Sequence, residues 1–169
     1  MIPTLRRMVA FYNPANPHSR QSVEFARDTA RQLKVELLGR RFASLEELRA
    51  SLRSLPPGKA DAIVYVDDAT VTSQTAAIME APRVKKLPTM IQDPSSVGQG
   101  ALASYGINLH AVGRLGAKQV QRILQGAAPG DLPVEQLDRL PFTINLKTAK
   151  ALGLTIPPSV PARADQVSE

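Results

Sequence analysis

The chain has no cysteine and no tryptophan, and aromatic residues make up only 4% of its 169 positions. Without thiols there is no disulfide framework and no thiolate nucleophile, so the fold must be held by packing alone. Nowhere do apolar residues approach the roughly 18 in a row that a membrane-spanning helix needs. The opening Met1-Ile2-Pro3-Thr4-Leu5-Arg6-Arg7 has no apolar run of leader-peptide length behind it. Also missing are a Gly-x-Gly-x-x-Gly after the first apolar run, a Walker loop and a Gly-x-Ser-x-Gly elbow. The two histidines, His18 and His110, have neither metal-ligand spacing nor a motif partner, and read as surface residues. No metal, no cofactor and no catalytic residue is therefore expected, and the chain does not read as an enzyme.

What is present suits one compact domain, with 43% hydrophobic and 21% charged residues. A formal charge of +6 comes from 21 Lys and Arg against 15 Asp and Glu. These cations are spread along helical faces (Arg27, Arg31, Lys34; Arg49, Arg53; Lys118, Arg122), with few aromatics for base stacking, so nucleic acid is not an expected partner.

Met8 to Tyr12 is a continuous apolar run ending at Asn13-Pro14, the pattern of a strand buried on both faces. Val23, Ala26, Ala30 and Leu33 recur at spacings of three and four, which predicts a helix over 19–34. Val35 to Phe42 reads as the second strand. Ser44-Leu45-Glu46-Glu47 matches a capping box opening a helix with Leu45, Leu48, Leu52 and Leu55 on one stripe. Ala62 to Val66 repeats the buried-strand pattern, Val71 to Ala81 predicts a helix ended by Pro82, and Leu87 to Ile91 is a fourth strand. Four strands alternating with helices make an α/β fold with a doubly wound parallel sheet and right-handed crossovers. Beyond a polar loop at 95–100, residues 101–107 read as a fifth strand. A helix over 110–125 then shows Val112, Leu115, Val120, Ile123 and Leu124 on one side and stops at Gly126. Residues 129–133 look like a linker, 142–146 like a short strand and 148–152 like a short helix, while Pro157, Pro158 and Pro161 argue for an extended tail.

Ligands of an open parallel sheet meet the carboxyl ends of its strands. Three segments fall there. In Asn13-Pro14-Ala15-Asn16-Pro17-His18-Ser19, Asn16 or Ser19 can cap the helix, and spare amides can hold an anionic group. The Asp67-Asp68-Ala69-Thr70 carboxylates can take an ammonium or hydroxyl, or simply cap the next helix. In Gln92-Asp93-Pro94-Ser95 an Asx-type turn is the plainer use. The expected ligand-binding set is Asn13, Asn16, Ser19, Asp67, Asp68, Thr70, Gln92 and Tyr105. A phospho-accepting receiver domain also has an aspartate after strand three, but needs an acidic pair after strand one and a lysine after strand five. Asn13 and Asn108 stand in those places, so that reading fails.

The segment Ile144-Asn145-Leu146-Lys147-Thr148-Ala149-Lys150-Ala151-Leu152-Gly153-Leu154-Thr155-Ile156-Pro157-Pro158-Ser159, followed by Ala162-Arg163-Ala164-Asp165, resembles the closing signature of the ABC-transporter substrate-binding protein family. Tyr12-Asn13-Pro14, Ser104-Tyr105-Gly106 and Leu132-Pro133-Val134-Glu135-Gln136 look like that family's other recurring segments, in its order. The resemblance implies the flavodoxin-like lobe of a type I periplasmic-binding fold and non-catalytic binding of a small organic solute such as an amino acid, for an importer's permease subunits. It implies a periplasmic location. Family members run to about twice this length, with a secretion signal and a first lobe ahead of the Tyr-Asn-Pro strand. The expectation is thus a second lobe over 1–109, with a helix, short strand and tail over 110–169 packed on it or on a partner. In the family the 110–125 helix recrosses to the first lobe, so here a homodimer through that helix is expected. A chain starting natively at Met1 would stay cytoplasmic. The competing expectation is a cytoplasmic interaction or regulatory module that keeps the lobe without transport.

Overall fold

The structure, a computed structural model, describes residues 2, 5–66, 68–137 and 139–169. Seven strands form one sheet in the order β2-β1-β3-β4-β5-β6-β7. β1 (Arg7–Tyr12) lies between β2 (Glu36–Arg41) and β3 (Ala62–Tyr65), and β4 (Thr89–Ile91) and β5 (Ala103–Tyr105) follow, all parallel. This is the doubly wound sheet that the alternation of apolar runs and helical stripes predicts. β6 (Phe142–Asn145) then runs antiparallel to β5, pairing Phe142 with Tyr105. β7 (Gln166–Ser168) lies parallel to β6 at the edge. The tail expected to be extended thus ends in a strand, after a 3-10 turn at Pro161–Arg163. Asp165 makes that possible: its Oδ2 accepts from the Phe142 amide at 2.7 Å, its amide donates to the Phe142 carbonyl at 2.8 Å, and Arg139 pairs with Oδ1 at 2.6 Å.

One face of the sheet holds the main core. Val9, Phe11, Ile63, Tyr65 and Ile91 from the strands meet Leu48 and Leu52 of α2 (Leu45–Ser54), Val71 of α3 (Ala69–Ser73) and Ile78 of α4 (Thr75–Val84). On the other face α1 (Pro17–Gln32) lays Val23 over Ala10 and Tyr12. Leu33, expected on that buried stripe, is 66% exposed because the helix ends before it.

The single helix predicted over 71–81 is two. Thr72 Oγ1 donates to the Asp68 carbonyl at 3.2 Å, and Thr75 Oγ1 donates to the carbonyls of Val71 (3.1 Å) and Thr72 (3.2 Å). Hydroxyls bonded to carbonyls of the preceding turn compete with the helical ladder, and the chain breaks at Gln74. Pro82 does not end the second piece but lies inside it. It has no amide for the Ile78 carbonyl, and the phenol of buried Tyr65 reaches that oxygen at 3.5 Å. Burial pushes the Tyr65 phenol far above its ordinary pKa. Ser44 is the N-cap the capping box predicts, its Oγ accepting from the Glu47 amide at 3.2 Å, while the Glu47 carboxylate reaches back one residue further than expected, to the Ala43 amide at 2.8 Å.

α5 (Leu109–Leu124) carries the predicted apolar side, yet none of its residues is buried. The Leu132–Gln136 stretch lies along it, with Gln119 Nε2 donating to the Pro133 carbonyl at 3.3 Å and Glu135 between Lys118 (3.4 Å) and Arg122 (3.6 Å). The helix expected over 148–152 is α6 (Leu146–Ala151).

Candidate functional site

The loops after β1, β3, β4 and β5 gather at the carboxyl ends of the parallel strands. Asn16 holds the first of them. Its Oδ1 caps α1 by accepting from the amides of His18 (3.0 Å) and Ser19 (3.4 Å), and its Nδ2 donates across to Asp68 Oδ2 at 3.0 Å. Asp68, only 4% exposed, caps α3 by accepting from the Thr70 amide at 2.9 Å. The carboxylate is thus a strut between the β1 and β3 loops, each of its oxygens already holding a donor. Ser19 is fully buried and accepts from the Asn13 amide at 3.0 Å, while Asn13 Oδ1 accepts from Ala15 at 2.9 Å.

Beside this strut lies a small cleft of about 90 Å³, walled by Val66, Val71, Thr72, Gln92, Ile107 and Leu109 among others. Gln92, on the β4 loop, is exposed. Asp93 turns that loop as expected, accepting from the Ser95 amide at 3.1 Å and from the Ser95 hydroxyl. The β4 and β5 loops touch at Gly106. A methyl at its Cα would stand 2.9 Å from both the Cα and the carbonyl carbon of Gln92 and closer still to the carbonyl oxygen. Only glycine lets the two loops close together there.

Of the eight expected binding residues, Asn13, Asn16, Ser19, Asp68 and Thr70 form one bonded group, and Gln92 opens on the neighbouring cleft. Asp67 lies outside the described residues. Tyr105 is not part of the group. Its half-exposed ring lines a separate trough of about 530 Å³ with Met90, Leu140, Phe142 and Val160. The apolar cleft wall contributed by Val66, Val71 and Ile107 was not anticipated. The only cue was that Val66 and Ile107 follow strand ends, and Val71 gave none.

Two further charges shape this end of the sheet. Tyr12 is held below its ordinary pKa, first by the hydrogen bond that Arg41 Nε donates to its oxygen at 3.1 Å; burial opposes this and Arg27 adds to it. The Arg27 guanidinium lies 5.8 Å from the Tyr12 ring centroid. Among the described residues no group of three or more His, Cys, Asp or Glu side chains gathers as for a metal. No described helix is long and apolar enough to cross a membrane.

A doubly wound lobe with loop-borne polar groups and an apolar cleft at its strand ends defines a small-molecule binding fold. More narrowly, the family model described as ABC transporter substrate binding protein matches residues 1–168, so the chain belongs to that family. It is 27% identical over 154 residues to a tyrosine-binding protein of Clostridioides difficile (strain R20291), covering 91% of this chain and 44% of that protein. A conserved domain protein from Vibrio cholerae O1 biovar El Tor superposes with a TM-score of 0.86 at 28% identity, over 99% of this chain and 56% of that one. An ABC domain from Streptococcus pneumonia in complex with L-Trp superposes at 0.85 with 29% identity, over 98% and 56% of the two chains. The chain spans about half the length of these proteins. The family is one of substrate binding rather than catalysis, and its members typically work in the periplasm or otherwise outside the cytoplasm.

Proposed function

We propose that this chain is the second lobe of a two-lobed receptor that delivers an amino acid, aromatic ones first in line, to the permease of an ABC importer. The observation that carries this reading is the Asn16–Asp68 strut beside the cleft at the strand ends. It fixes two loops while leaving Asn13, Thr70 and Gln92 to meet a solute, with Asp67 alongside them in sequence. The cleft sets the scale. Sites that enclose a ligand run from about 300 to 1,000 Å³, so about 90 Å³ holds one end of an amino acid and leaves the rest for a facing surface. Support for an aromatic amino acid comes from the names of two relatives, a tyrosine-binding protein and a domain holding L-Trp. In this reading residues 1–109 are the lobe, and 110–169 supply α5 as an arm and a tail that completes the sheet. The receptor's first lobe, or a second copy in its place, meets α5 and faces the cleft.

A thermal-shift titration of the 169-residue chain with L-Trp, L-Tyr, L-Phe, aliphatic amino acids and sugars tests it. Ligand at 100 times its dissociation constant adds about 2.7 kcal/mol of apparent stability. The expected result is a concentration-dependent rise with an aromatic amino acid that Gln92→Ala weakens. A flat response to every amino acid, or a rise with sugars alone, overturns the assignment.

A further inference from the structure

Along the sequence the cations are scattered, but the fold gathers nine of them at one end. In the parallel part of the sheet every strand starts at the end opposite the candidate cleft, and the helices that lead into β2, β3 and β4 finish there. The Glu36 amide donates to the Arg6 carbonyl at 2.8 Å and the Asp61 amide to the Arg7 carbonyl at 2.9 Å. Arg7 Nη2 donates to the Gly58 carbonyl at 2.6 Å, and Lys85 Nζ to the Leu55 carbonyl at 2.9 Å. Residues 5–7, 31–36, 53–61 and 83–88 thereby form one pole. They hold nine Lys and Arg against Glu36 and Asp61, a net +7, while the remaining 12 cations and 13 anions of the chain come to −1.

Helix dipoles favour cations in the last turns, which accounts for Arg31, Arg53 and Arg83. It does not account for the residues that follow. Lys34 and Lys86 hold left-handed φ angles of 56° and 53° just beyond α1 and α4, where glycine fits without strain. Two strained positions at one pole both carry a cation, and such outliers point to a use for the side chain. Among the described residues no carboxylate pairs with Lys34, Arg53, Lys59, Arg83 or Lys86. Leu33 and Val84, 66% and 74% exposed, stand next to Lys34 and Lys85. The four segments contain no aromatic residue on which a base could stack. Unpaired cations spread over a broad end, with single apolar side chains between them, match the smeared negative charge and apolar interior of a bilayer surface.

We propose that this pole is a docking surface for an anionic lipid bilayer, with headgroup phosphates against its lysines and arginines and Leu33 and Val84 at the interface. The candidate cleft then faces away from the lipid. This goes beyond the receptor reading and does not depend on which solute the cleft takes.

Cosedimentation of the 169-residue chain with vesicles of phosphatidylglycerol and phosphatidylcholine, against phosphatidylcholine alone, tests it. Binding is expected only with the anionic lipid, and falls away at high salt. Each surface cation contributes about fivefold to partitioning, so Lys34→Gly/Lys86→Gly should bind roughly 25-fold more weakly. The same variant should unfold at a higher urea concentration as the strained turns relax, so its loss of binding is not loss of fold. Lys59→Gln/Arg83→Gln, at exposed positions, should lose binding to the same degree. Arg40→Gln/Arg114→Gln, on β2 and α5 away from the pole, removes as much charge and should bind nearly as wild type does. No binding to the anionic vesicles, or an equal loss in the Arg40 and Arg114 variant, overturns the proposal. A chain that ignores the vesicles but holds a DNA duplex through the same lysines overturns the lipid in favour of nucleic acid.

Discussion

Replacing Asn145 tests how the closing Ile144-Asn145-Leu146 segment acts. Asn145 is 7% exposed and makes three bonds: Oδ1 accepts from the Thr148 amide at 2.7 Å, Nδ2 donates to the Val97 carbonyl at 2.9 Å, and its own amide donates to the Leu102 carbonyl at 2.9 Å. Alanine keeps only the last. Loss of an N-cap costs about 1 kcal/mol, and loss of the second bond about 0.5–1.5 kcal/mol, since the Val97 carbonyl keeps the Gly100 amide at 3.2 Å. Val97 is 2% exposed, so water does not readily replace the lost side-chain donor. Asn145→Ala should therefore destabilise by about 1.5–2.5 kcal/mol, a melting shift of roughly 3–10 °C for a domain of this size. With no tryptophan, urea unfolding is followed by far-UV circular dichroism. Asn145→Asp separates the two bonds, because it keeps the cap but sets a carboxylate oxygen against the Val97 carbonyl. A buried carboxylate facing an acceptor titrates above its unfolded value of about 3.9. The variant therefore regains stability relative to wild type as pH falls from that raised value toward 3.9, where the proton it takes up can be donated to Val97. An Asn145→Ala change within 0.5 kcal/mol of wild type would refute the assignment of this residue as a structural tie.

Three further outcomes follow from local geometry. Asp61 accepts from the amides of Arg6 (2.9 Å) and Arg7 (2.8 Å), which hold its carboxyl below the usual range; that stabilisation is full above about pH 4 and fades as pH falls through the lowered value. Asp61→Asn should thus lose a fraction of a kcal/mol at pH 7 and converge on wild type in acid unfolding curves, the site being too close to solvent for more. Lys34 and Lys86 hold left-handed φ angles of 56° and 53°, the place Gly126 and Gly153 take at the ends of α5 and α6; glycine at either lysine should raise stability by up to about 1 kcal/mol, seen as a higher urea midpoint at unchanged slope. Gly106→Ala should cost about 2 kcal/mol or more through displacement of the Gln92 carbonyl, and an alanine variant with wild-type stability would show that the β4 and β5 loops do not close together.

The fold was legible where side-chain period and burial coincide. Val9 to Tyr12 are buried on both faces, as a parallel sheet requires, and Ala62 to Val66 are too except for half-buried Val64, and the Leu48, Leu52 and Leu55 stripe lies on the core as spaced. It was not legible where tertiary partners override local chemistry. Nothing near Pro82 signals that a phenol seventeen residues upstream will reach the carbonyl the proline leaves open. Nor does the tail, with three prolines, announce a strand, since the pairing depends on Asp165 meeting Phe142 and Arg139. In the candidate site the capping roles of Asn16 and Asp68 were open to sequence reasoning, because each is a short polar side chain at a helix start. The bond between them was not, for the two are fifty-two positions apart. Tyr105 shares a strand end with the site but looks into the trough, and strand parity alone cannot say which face a ligand uses.

The segments that carry the family resemblance act here mostly as fasteners. The β4 to β5 crossover has no α-helix, only a 3-10 turn at Pro94–Val97. Such a connection has little packing of its own to hold it. Asn145 grips it through the Val97 carbonyl, and Thr148 Oγ1 adds a longer bond to the Gly100 carbonyl at 3.4 Å. Gly106 in turn lets the β5 loop lie on the backbone of Gln92. The closing signature therefore positions the β4 loop from the far side of the sheet, and Gln92 inherits that position at the cleft. The backbone of the β4 loop is thus tied by Asn145 and packed against Gly106, away from the Gln92 side chain, so substitutions of that side chain in the cleft leave the loop's own ties in place.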